Sequence, residues 1–269
     1  MNNINILGVK IDEVNESQAV ELISHWLKSS NKKYIVTPNI EFIMAAQNDH
    51  DFKKIINNAD LAIPDSARFN WALTELESEN IIKKIILWPF FFFPKLALLK
   101  KFPVLAGTDL MDALITKAEK ENWSVGLLGG KDEVAKKLKQ KLERKYPDLK
   151  ITYADPGGVI DRNGVEIWEE GEVSESDKIK IPKTDLLFVA FGHGKQEKWI
   201  TKNLDKQPVK IMMGVGGAFD YLSGEIPRAP KQWQQYGFEW LYRLIQQPWR
   251  AKRFLGIIRF TFLILFKSK

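Results

Sequence analysis

The feature that most constrains the fold is a repeated pattern: a short apolar run ends in small or polar residues, and a helix-like segment follows. The runs cover residues 34–36, 61–63, 123–128, 186–191 and 211–213. Apolar runs this short, bounded by Gly, Pro, Asn or Asp, are typical of buried strands, and their alternation with helices indicates an α/β sheet. Open α/β sheets bind ligands at the carboxyl ends of their strands. The residues that directly follow each run are therefore the first candidates for a functional site.

Several candidates stand at those positions. Thr37 and Asn39 follow the run 34–36, and Asp65 follows the run 61–63. Asn39 and Asp65 each have a structural alternative, because Asn and Asp are common helix caps and turn residues. Gly129 and Gly130 stand between a strand and a helix, an arrangement that can hold a pyrophosphate on free backbone N–H groups. The alternative for this glycine pair is a tight turn.

The charge of the chain is concentrated near its C-terminal end. The net charge is +6, and residues 228–269 carry nine lysines and arginines against one acidic residue, Glu239. A basic segment on a neutral body indicates an anionic partner: a membrane surface, a phosphate-bearing substrate or nucleic acid. Arg243, Arg250 and Arg253 are spaced to share one helical face, and their guanidinium groups could hold a diphosphate. The alternative is a solvated basic face beside an aromatic core stripe.

Composition argues against several classes of protein. The chain has no cysteine, so disulfides and thiolate metal sites are excluded, and its three histidines do not stand at metal-ligand spacing. We therefore do not expect a zinc enzyme. The first residues lack the basic and apolar regions of a signal peptide.

Two apolar segments suggest contact with a membrane. Residues 81–99 are strongly apolar but interrupted by lysine and proline, and no run approaches the ~20 apolar residues of a spanning helix. We interpret them as an inserted hairpin at a membrane interface, with a contact between copies of the chain or a core segment as the alternatives. Residues 248–269 are apolar with basic ends, which favours a helix lying in a bilayer interface.

Five motifs resemble one known family, and they occur in that family's order. They are Thr37-Pro38-Asn39-Ile40-Glu41, the run 59–65 ending in Pro64-Asp65, Ala106-Gly107-Thr108-Asp109-Leu110, Gln196-Glu197 within 192–197, and the glycine-rich run 214–224 with its following Arg228. Together they resemble the WecG/TagA/CpsF glycosyltransferase family from residue 6 to about residue 253. Three positions depart from the family pattern: Ser66 replaces a glycine, Val104 an arginine and Gly194 a proline.

The resemblance implies a fold and a division of the chain. We expect an α/β protein with a Rossmann-like, mostly parallel sheet flanked by helices and a basic, apolar C-terminal helical appendage. Residues 1–227 would form the catalytic domain, with 81–99 as an apolar insertion, and residues 228–269 the membrane-associating appendage.

The resemblance also implies an activity without metal or cofactor. Such enzymes transfer an N-acetylmannosamine-type sugar, with inversion, from a UDP donor to an undecaprenyl-diphosphate-linked acceptor at the cytoplasmic membrane face, for cell-surface polysaccharide or teichoic acid. Asp65 would be the general base. The expected substrate-binding residues are Thr37, Asn39, Thr108, Asp109, Gly129, Gly130, Gln196, Glu197, Gly216, Asp220, Arg228, Arg243, Arg250 and Arg253. From the residues alone, Glu197 could instead complement a helix N-terminus.

Other functions stay open at this point. Within the family, the sugar could be another UDP-hexose or a uronic acid, or the departures at Ser66, Val104 and Gly194 could mark an inactive member. Outside it, the basic aromatic segment could belong to a non-catalytic module that binds anionic lipid or nucleic acid. We expect no nucleic acid partner, because a binding module has no need of Thr37, Asn39, Asp65 and Gln196 at strand ends. A homo-oligomer stays open.

Overall fold

The computed structural model describes residues 2–78, 80–93, 101–167, 179–236, 238–248 and 254–266 of the chain, without the side chains of residues 81, 235, 243 and 254. The strands are β1 (Asn3–Ile6), β2 (Val9–Asp12), β3 (Lys33–Val36), β4 (Leu61–Ala62), β5 (Ser124–Gly129), β6 (Lys150–Asp155), β7 (Val159–Ile160), β8 (Glu166–Ile167), β9 (Thr184–Ala190) and β10 (Val209–Gly214). The helices are α1 (Glu16–Leu27), α2 (Ile40–Ala46), α3 (His50–Asn57), α4 (Phe69–Glu77), α5 (Ile81–Leu87), the 3₁₀ helix η1 (Trp88–Phe92), α6 (Gly107–Glu121), α7 (Val134–Lys145), α8 (Lys195–Asn203), α9 (Ala218–Ser223), α10 (Lys231–Tyr236), α11 (Glu239–Gln246) and α12 (Phe254–Phe266).

A six-stranded sheet forms the centre of the protein. Its strands lie in the order β4-β3-β10-β9-β5-β6, and every neighbouring pair is parallel. Parallel strands need crossover connections, and the helices between them provide these. The expected α/β, Rossmann-like fold with helices flanking a mostly parallel sheet is confirmed.

Both faces of the sheet are buried, which explains the continuous apolar runs of its central strands. Successive strand residues point to opposite faces. Accordingly, Leu186 and Phe188 of β9 belong to one hydrophobic core, while Leu187 and Val189 belong to the other. Each core includes residues from several strands and helices, so neither is formed by residues 228–269 alone.

The chain begins with a hairpin instead of one long strand. The run 4–11 turns at Leu7 and Gly8, whose φ angles are 51° and 82°, so β1 and β2 pair antiparallel. Asp12 at the end of β2 accepts a hydrogen bond of 2.8 Å from the backbone N–H of Ala62, which attaches the hairpin to the sheet edge.

Helix α12 packs on the body of the protein through one face. Phe260 and Ile264 are fully buried and belong to the same hydrophobic core as α2 and α4. The other face carries exposed apolar side chains, which are Leu255, Ile258, Phe262 and Phe266. One face of α12 therefore belongs to the hydrophobic core, and the other face is exposed.

The apolar insertion, residues 81–99, lies next to α12. Residues 81–92 form α5 and η1, and residues 94–99, the rest of the segment predicted as a hairpin, lie outside the described part, so the hairpin stays a prediction. Lys84 of α5 donates a hydrogen bond of 3.3 Å to the carbonyl of Leu265 in α12. We call the exposed apolar side chains of these two neighbours the apolar platform; they are Ile82, Ile85, Ile86, Trp88 and Phe93 of the insertion and Leu255, Ile258, Phe262 and Phe266 of α12. Among the described residues, no helix combines the length and apolar character needed to cross a bilayer.

Candidate active site

A cleft of about 820 Å³ lies along the carboxyl edge of the parallel sheet. Loops that follow β3, β4, β5, β6, β9 and β10 all contribute to its walls, as the sheet architecture predicts. The residues of the sequence prediction that line it are Thr37, Asn39, Asp65, Thr108, Gly130, Gln196, Gly216 and Asp220. A hollow of similar size beside α1 is lined by surface residues such as Glu13, Gln18 and His25, none of which follows a strand of the central sheet.

The loop after β3 brings Thr37 and Asn39 to the cleft. Thr37 is mostly buried, and its hydroxyl donates a hydrogen bond of 3.4 Å to the carbonyl of Gly214 at the end of β10. Asn39 is the N-cap of α2, since its Oδ1 accepts from the N–H groups of Glu41 and Phe42 at 2.9 and 3.2 Å. The capping alternative is therefore realised for Asn39, and it coexists with a position in the cleft wall.

Asp65 stands where the loops after β3 and β4 are joined. Its backbone N–H donates to the carbonyls of Pro38 and Ile63 at 3.0 and 2.9 Å. The next residue, Ser66, is not among the non-glycine residues with positive φ in the described chain. Serine therefore adopts this turn without the strain that a left-handed conformation would impose.

The glycine pair after β5 forms a tight turn. Gly129 and Gly130 have φ angles of 100° and 84°, and a Cβ on Gly129 would lie 2.8 Å from the carbonyl carbon of Ala190. The N–H of Gly130 donates to the carbonyl of Ala190 at 3.0 Å. That N–H is occupied within the protein, so it is not the free pyrophosphate donor that the sequence suggested. Gly130 lines the cleft, whereas Gly129 is not among the lining residues.

Gln196 and Glu197 connect the ends of β9 and β10. The backbone N–H of Gly216 donates to Oε1 of Gln196 at 3.1 Å, and Nε2 of Gln196 donates to Oε1 of Glu197 at 2.6 Å. Oε2 of Glu197 accepts from the N–H of Gly194 at 2.8 Å. Gly194 has a φ of 81°, which the proline of the family pattern cannot adopt.

Glu197 lies beneath the cleft and not on its wall. It is fully buried, and burial raises its pKa to about 7, against the hydrogen bonds from Gln196 and Gly194 that lower it. The sequence placed Glu197 among the substrate-binding residues, but in this structure its carboxyl group contacts the protein itself. Its observed contacts orient Gln196 and, through it, the loop at Gly216.

Asp109 and Arg228 pair with each other. The guanidinium of Arg228 donates to both carboxylate oxygens of Asp109, with Nη2 and Oδ2 2.9 Å apart, and its Nε lies 3.9 Å from Oε1 of Glu239. The hydrogen bonds to Asp109 raise the pKa of Arg228, and the charges of Glu239 and Asp65 act in the same direction. The pair ties the segment after α9 to the first turn of α6, and Arg228 lies within electrostatic reach of Asp65.

Thr108 lines the cleft but does not cap α6. That helix begins at Gly107, its N-cap residue is Ala106, and no side chain caps it. The three arginines predicted to share one helical face lie largely outside the described part of the chain. The backbone of Arg243 lies in α11 but its side chain is not described, and Arg250 and Arg253 lie outside the described residues.

The cleft also contains residues that sequence reasoning missed. Lys131 and Asp132 follow the glycine pair, and His193 follows Gly192 at the end of β9. The strand-end rule that selected Thr37 and Asp65 could have selected them too. His193 packs edge-on against Phe42 and Phe52, with ring centroids 4.6 and 5.4 Å apart. Within the described ranges, no three acidic or histidine side chains converge as metal ligands would.

Comparison with known proteins assigns this architecture to a family. A model described as "Glycosyl transferase WecG/TagA/CpsF family" matches residues 4–87 and 93–269. The five residues between the two matched parts, 88–92, coincide with η1, so the family pattern is interrupted at that 3₁₀ helix.

Individual relatives match over most of their length. The chain is 30% identical over 263 residues to the N-acetylglucosaminyldiphosphoundecaprenol N-acetyl-beta-D-mannosaminyltransferase of Staphylococcus aureus (strain MW2), a match that covers 97% of this chain and 91% of that protein. It is 29% identical over 248 residues to the protein of the same name from Bacillus subtilis (strain 168), covering 92% of this chain and 85% of the relative. The family resemblance of the sequence motifs is thereby confirmed: this chain belongs to the WecG/TagA/CpsF family of glycosyl transferases.

Proposed function

We propose that this glycosyl transferase moves an N-acetylmannosamine-type sugar from a UDP donor to a polyprenyl-diphosphate-linked acceptor sugar. The printed name of its relatives describes transfer of N-acetylmannosamine to an N-acetylglucosaminyl diphosphoundecaprenol. The product would enter teichoic acid or another cell-surface polysaccharide. The observation that carries the proposal is the position of Asp65, a carboxylate on the cleft wall at the joined ends of β3 and β4.

In the proposed reaction Asp65 is the general base. Its carboxylate accepts the proton of the acceptor hydroxyl while that oxygen attacks the anomeric carbon of the donor sugar. The bond from that carbon to the UDP oxygen breaks, and UDP leaves with the bonding electron pair. A single displacement of this kind inverts the anomeric centre. Thr37 and Asn39, fixed at the same edge of the sheet, position the donor sugar, and this proximity lowers the barrier.

The leaving diphosphate requires positive charge. Lys131 is an exposed cation in the cleft wall directly after β5, and we assign it to the diphosphate of UDP. Gln196 and Glu197 hold the loop at Gly216 on the opposite side of β9, so their role is to position the site. Arg243, Arg250 and Arg253 stay proposed ligands of a diphosphate on the C-terminal segment.

We also propose that the enzyme acts as a peripheral protein on the inner face of the bacterial cell membrane. The apolar platform supplies the contact with lipid, and the exposed cations Lys83 of α5 and Arg259 of α12 stand among its side chains. An apolar surface with basic residues beside it fits the boundary between acyl chains and anionic headgroups. Segment 228–269 would thus provide part of the lipid contact, and the insertion 81–93 the other part.

The decisive experiment compares wild type with Asp65→Asn. With UDP-N-acetylmannosamine and a lipid-diphosphate-linked N-acetylglucosamine, the variant should release UDP about 100- to 10,000-fold more slowly, because the amide cannot accept the proton. Calorimetry should show unchanged UDP binding, since the amide keeps the shape of the side chain. The matched control is Asp148→Asn, an exposed carboxylate before β6 that should leave turnover unchanged.

Equal turnover of Asp65→Asn and wild type would remove Asp65 from the mechanism. A panel of UDP-sugars in the same assay tests the donor: faster release with another UDP-hexose or a uronic acid would replace N-acetylmannosamine. Binding of the lipid without any UDP release from any donor would point to a non-catalytic module.

A further inference from the structure

Arg68 occupies an unusual position between three parts of the chain. It precedes α4, three residues after Asp65. Its guanidinium lies over the ring of Phe91 in η1, 5.1 Å from the centroid, and over the ring of Trp240 in α11, 4.9 Å from the centroid. One cation therefore connects the loop that carries Asp65, the apolar insertion and the C-terminal segment.

The charge of Arg68 has no anionic partner among the described residues. Its Nε is shielded from solvent and makes no hydrogen bond within the described structure. Burial lowers the pKa of Arg68 to about 10, which leaves the guanidinium protonated at neutral pH. Arg228 shows the contrast, because two oxygens of Asp109 compensate its charge.

Stacking on the two rings compensates this charge only in part. A cation–π contact offsets only part of the desolvation cost of a charge that lacks a counter-ion, and the Nε of Arg68 is shielded from solvent. A methionine would fill the same aromatic space without that cost. A cation kept in such a place is accounted for by an anion that arrives with a ligand.

The neighbours of Arg68 indicate which anion this is. Asp65 lies on the cleft wall, and so does Glu239, the residue before Trp240. Phe91 belongs to the same insertion that carries the exposed apolar side chains Ile85 and Trp88. Arg68 thus stands between the polar cleft and the apolar platform. A ligand with a sugar in the cleft and a hydrocarbon on the platform would place its diphosphate between the two.

We propose that Arg68 binds the diphosphate of the polyprenyl-linked acceptor. The proposal rests on the function proposed above and adds a specific phosphate ligand to it. Rings stacked on the guanidinium faces leave the two terminal Nη groups for phosphate oxygens, and this planar pair of donors matches their geometry. Phe91 and Trp240 act as positioning residues that hold this fork.

The test uses Arg68→Met and Arg68→Lys in the full-length protein. A water-soluble acceptor, N-acetylglucosamine on a short-chain isoprenyl diphosphate, removes any need for membrane. Arg68→Met should raise the acceptor KM about 10- to 100-fold, the value of a lost charge-assisted hydrogen bond. The acceptor KM of Arg68→Lys should lie between those of wild type and Arg68→Met, because the charge stays and the planar fork is lost. The control Arg144→Met removes an exposed arginine of α7 and should leave the acceptor KM unchanged.

Two further measurements separate ligand binding from a structural role. The melting temperature of Arg68→Met should equal or exceed that of wild type, because an uncompensated cation is removed. The dissociation constant of UDP should stay unchanged in both variants. A lower melting temperature with an unchanged acceptor KM in Arg68→Met would mean that the arginine serves only to stack the rings, which overturns the proposal.

The remaining outcomes are also decisive. Weaker UDP binding with an unchanged acceptor KM would assign Arg68 to the nucleotide diphosphate and overturn the assignment to the acceptor. If wild type transfers sugar and Arg68→Lys and Arg68→Met both match it, the inference fails while the proposed function stands. If wild type releases no UDP, the proposed function fails, and direct binding of the short-chain isoprenyl diphosphate to wild type and Arg68→Met then decides on Arg68.

Discussion

The cleft and the apolar platform are built by opposite means. Most of the cleft wall consists of loops that follow strands of the central sheet, so neighbours in space are largely set by the sheet order. The platform joins α5 and α12, whose contacting residues Lys84 and Leu265 are 181 positions apart. A local rule of the fold therefore locates the cleft, whereas only long-range packing locates the platform. The same contrast decides which substitutions affect chemistry and which affect stability or lipid binding.

Two phenylalanines of α12 test the division between core and platform. Phe260 is fully buried and Phe262 is 58% exposed, because residues two apart point to opposite sides of a helix. Phe260→Ala should lower the free energy of unfolding by about 3–5 kcal/mol, since it leaves a cavity against α2 and α4. Phe262→Ala should leave it nearly unchanged. Urea denaturation of both variants measures the difference, and equal losses would mean that α12 does not pack as described.

The pH dependence of the free energy of unfolding tests two buried carboxyl groups, one below the cleft and one in α4. Burial raises the pKa of Glu197 below the cleft and of Glu75 in α4 to about 7, from an ordinary value of 4.5. Between these values the folded chain holds a proton that the unfolded chain releases, so the free energy of unfolding falls as the pH rises from 4.5 to about 7. Each group should contribute a loss on the order of 2–3 kcal/mol over that range.

Replacement of either glutamate separates stability from activity. Glu75→Gln should reduce the loss of stability with pH and leave transfer unchanged, because Glu75 lies outside the cleft. Glu197→Gln should reduce it too, but it should also slow transfer, since an NH2 group replaces one of the two oxygens that accept from Gln196 and from the N–H of Gly194. Denaturation at pH 5 and 7.5 with parallel turnover assays gives both readouts. A wild-type pH dependence in Glu75→Gln would show that its proton is not released in this range.

The platform itself is tested with lipid vesicles. Ile258→Ser with Phe262→Ser removes two side chains that are 50% and 58% exposed. Binding to anionic vesicles should weaken about 10- to 100-fold, because roughly half of each apolar side chain is available for burial in lipid. Turnover of the water-soluble acceptor should not change.

The matched control replaces apolar residues that are equally exposed elsewhere. Val165 and Ile167, both 48% exposed, flank or belong to β8, and their double replacement by serine should leave vesicle binding unchanged. Equal vesicle binding by wild type and the α12 double variant would mean that α12 does not contact lipid. The contact would then be made by the insertion, or the platform would make none.

The smallest expected effect concerns Ser66. Its backbone does not need the left-handed region, so Ser66→Gly gains nothing in the folded state and loosens the unfolded chain. The free energy of unfolding should fall by about 0.5–1 kcal/mol, with turnover unchanged. A more active Ser66→Gly would indicate that serine restrains the loop of Asp65.

Much of the cleft could be predicted from sequence because its residues follow apolar runs. Thr37, Asn39 and Asp65 were found by that rule, and their capping alternative was realised for Asn39 only. Backbone partners could not be predicted: nothing in the glycine pair indicates that the carbonyl of Ala190 occupies the N–H of Gly130. The same holds for the side chain of Arg228, whose partner Asp109 is 119 positions away.

The apolar tail was harder to interpret for a different reason. An almost uninterrupted apolar segment has no periodicity that separates a core face from a lipid face. The division between Phe260 and Phe262 appears only when α2 and α4 supply a surface to pack on. Glu197 presents a related case, because its place below the cleft depends on the fold of the loops above it.

The packing of α12 has a mechanical consequence. The helix touches α2, which starts directly after Asn39, and α4, which starts four residues after Asp65. In the proposed membrane-bound enzyme, the outward side chains of α12 would set how deep the protein enters a leaflet, while its inward side chains pack on the two helices that follow Asn39 and Asp65. One helix would then fix the height of the proposed base Asp65 above the acyl chains, and with it the length of lipid headgroup that can reach this carboxylate.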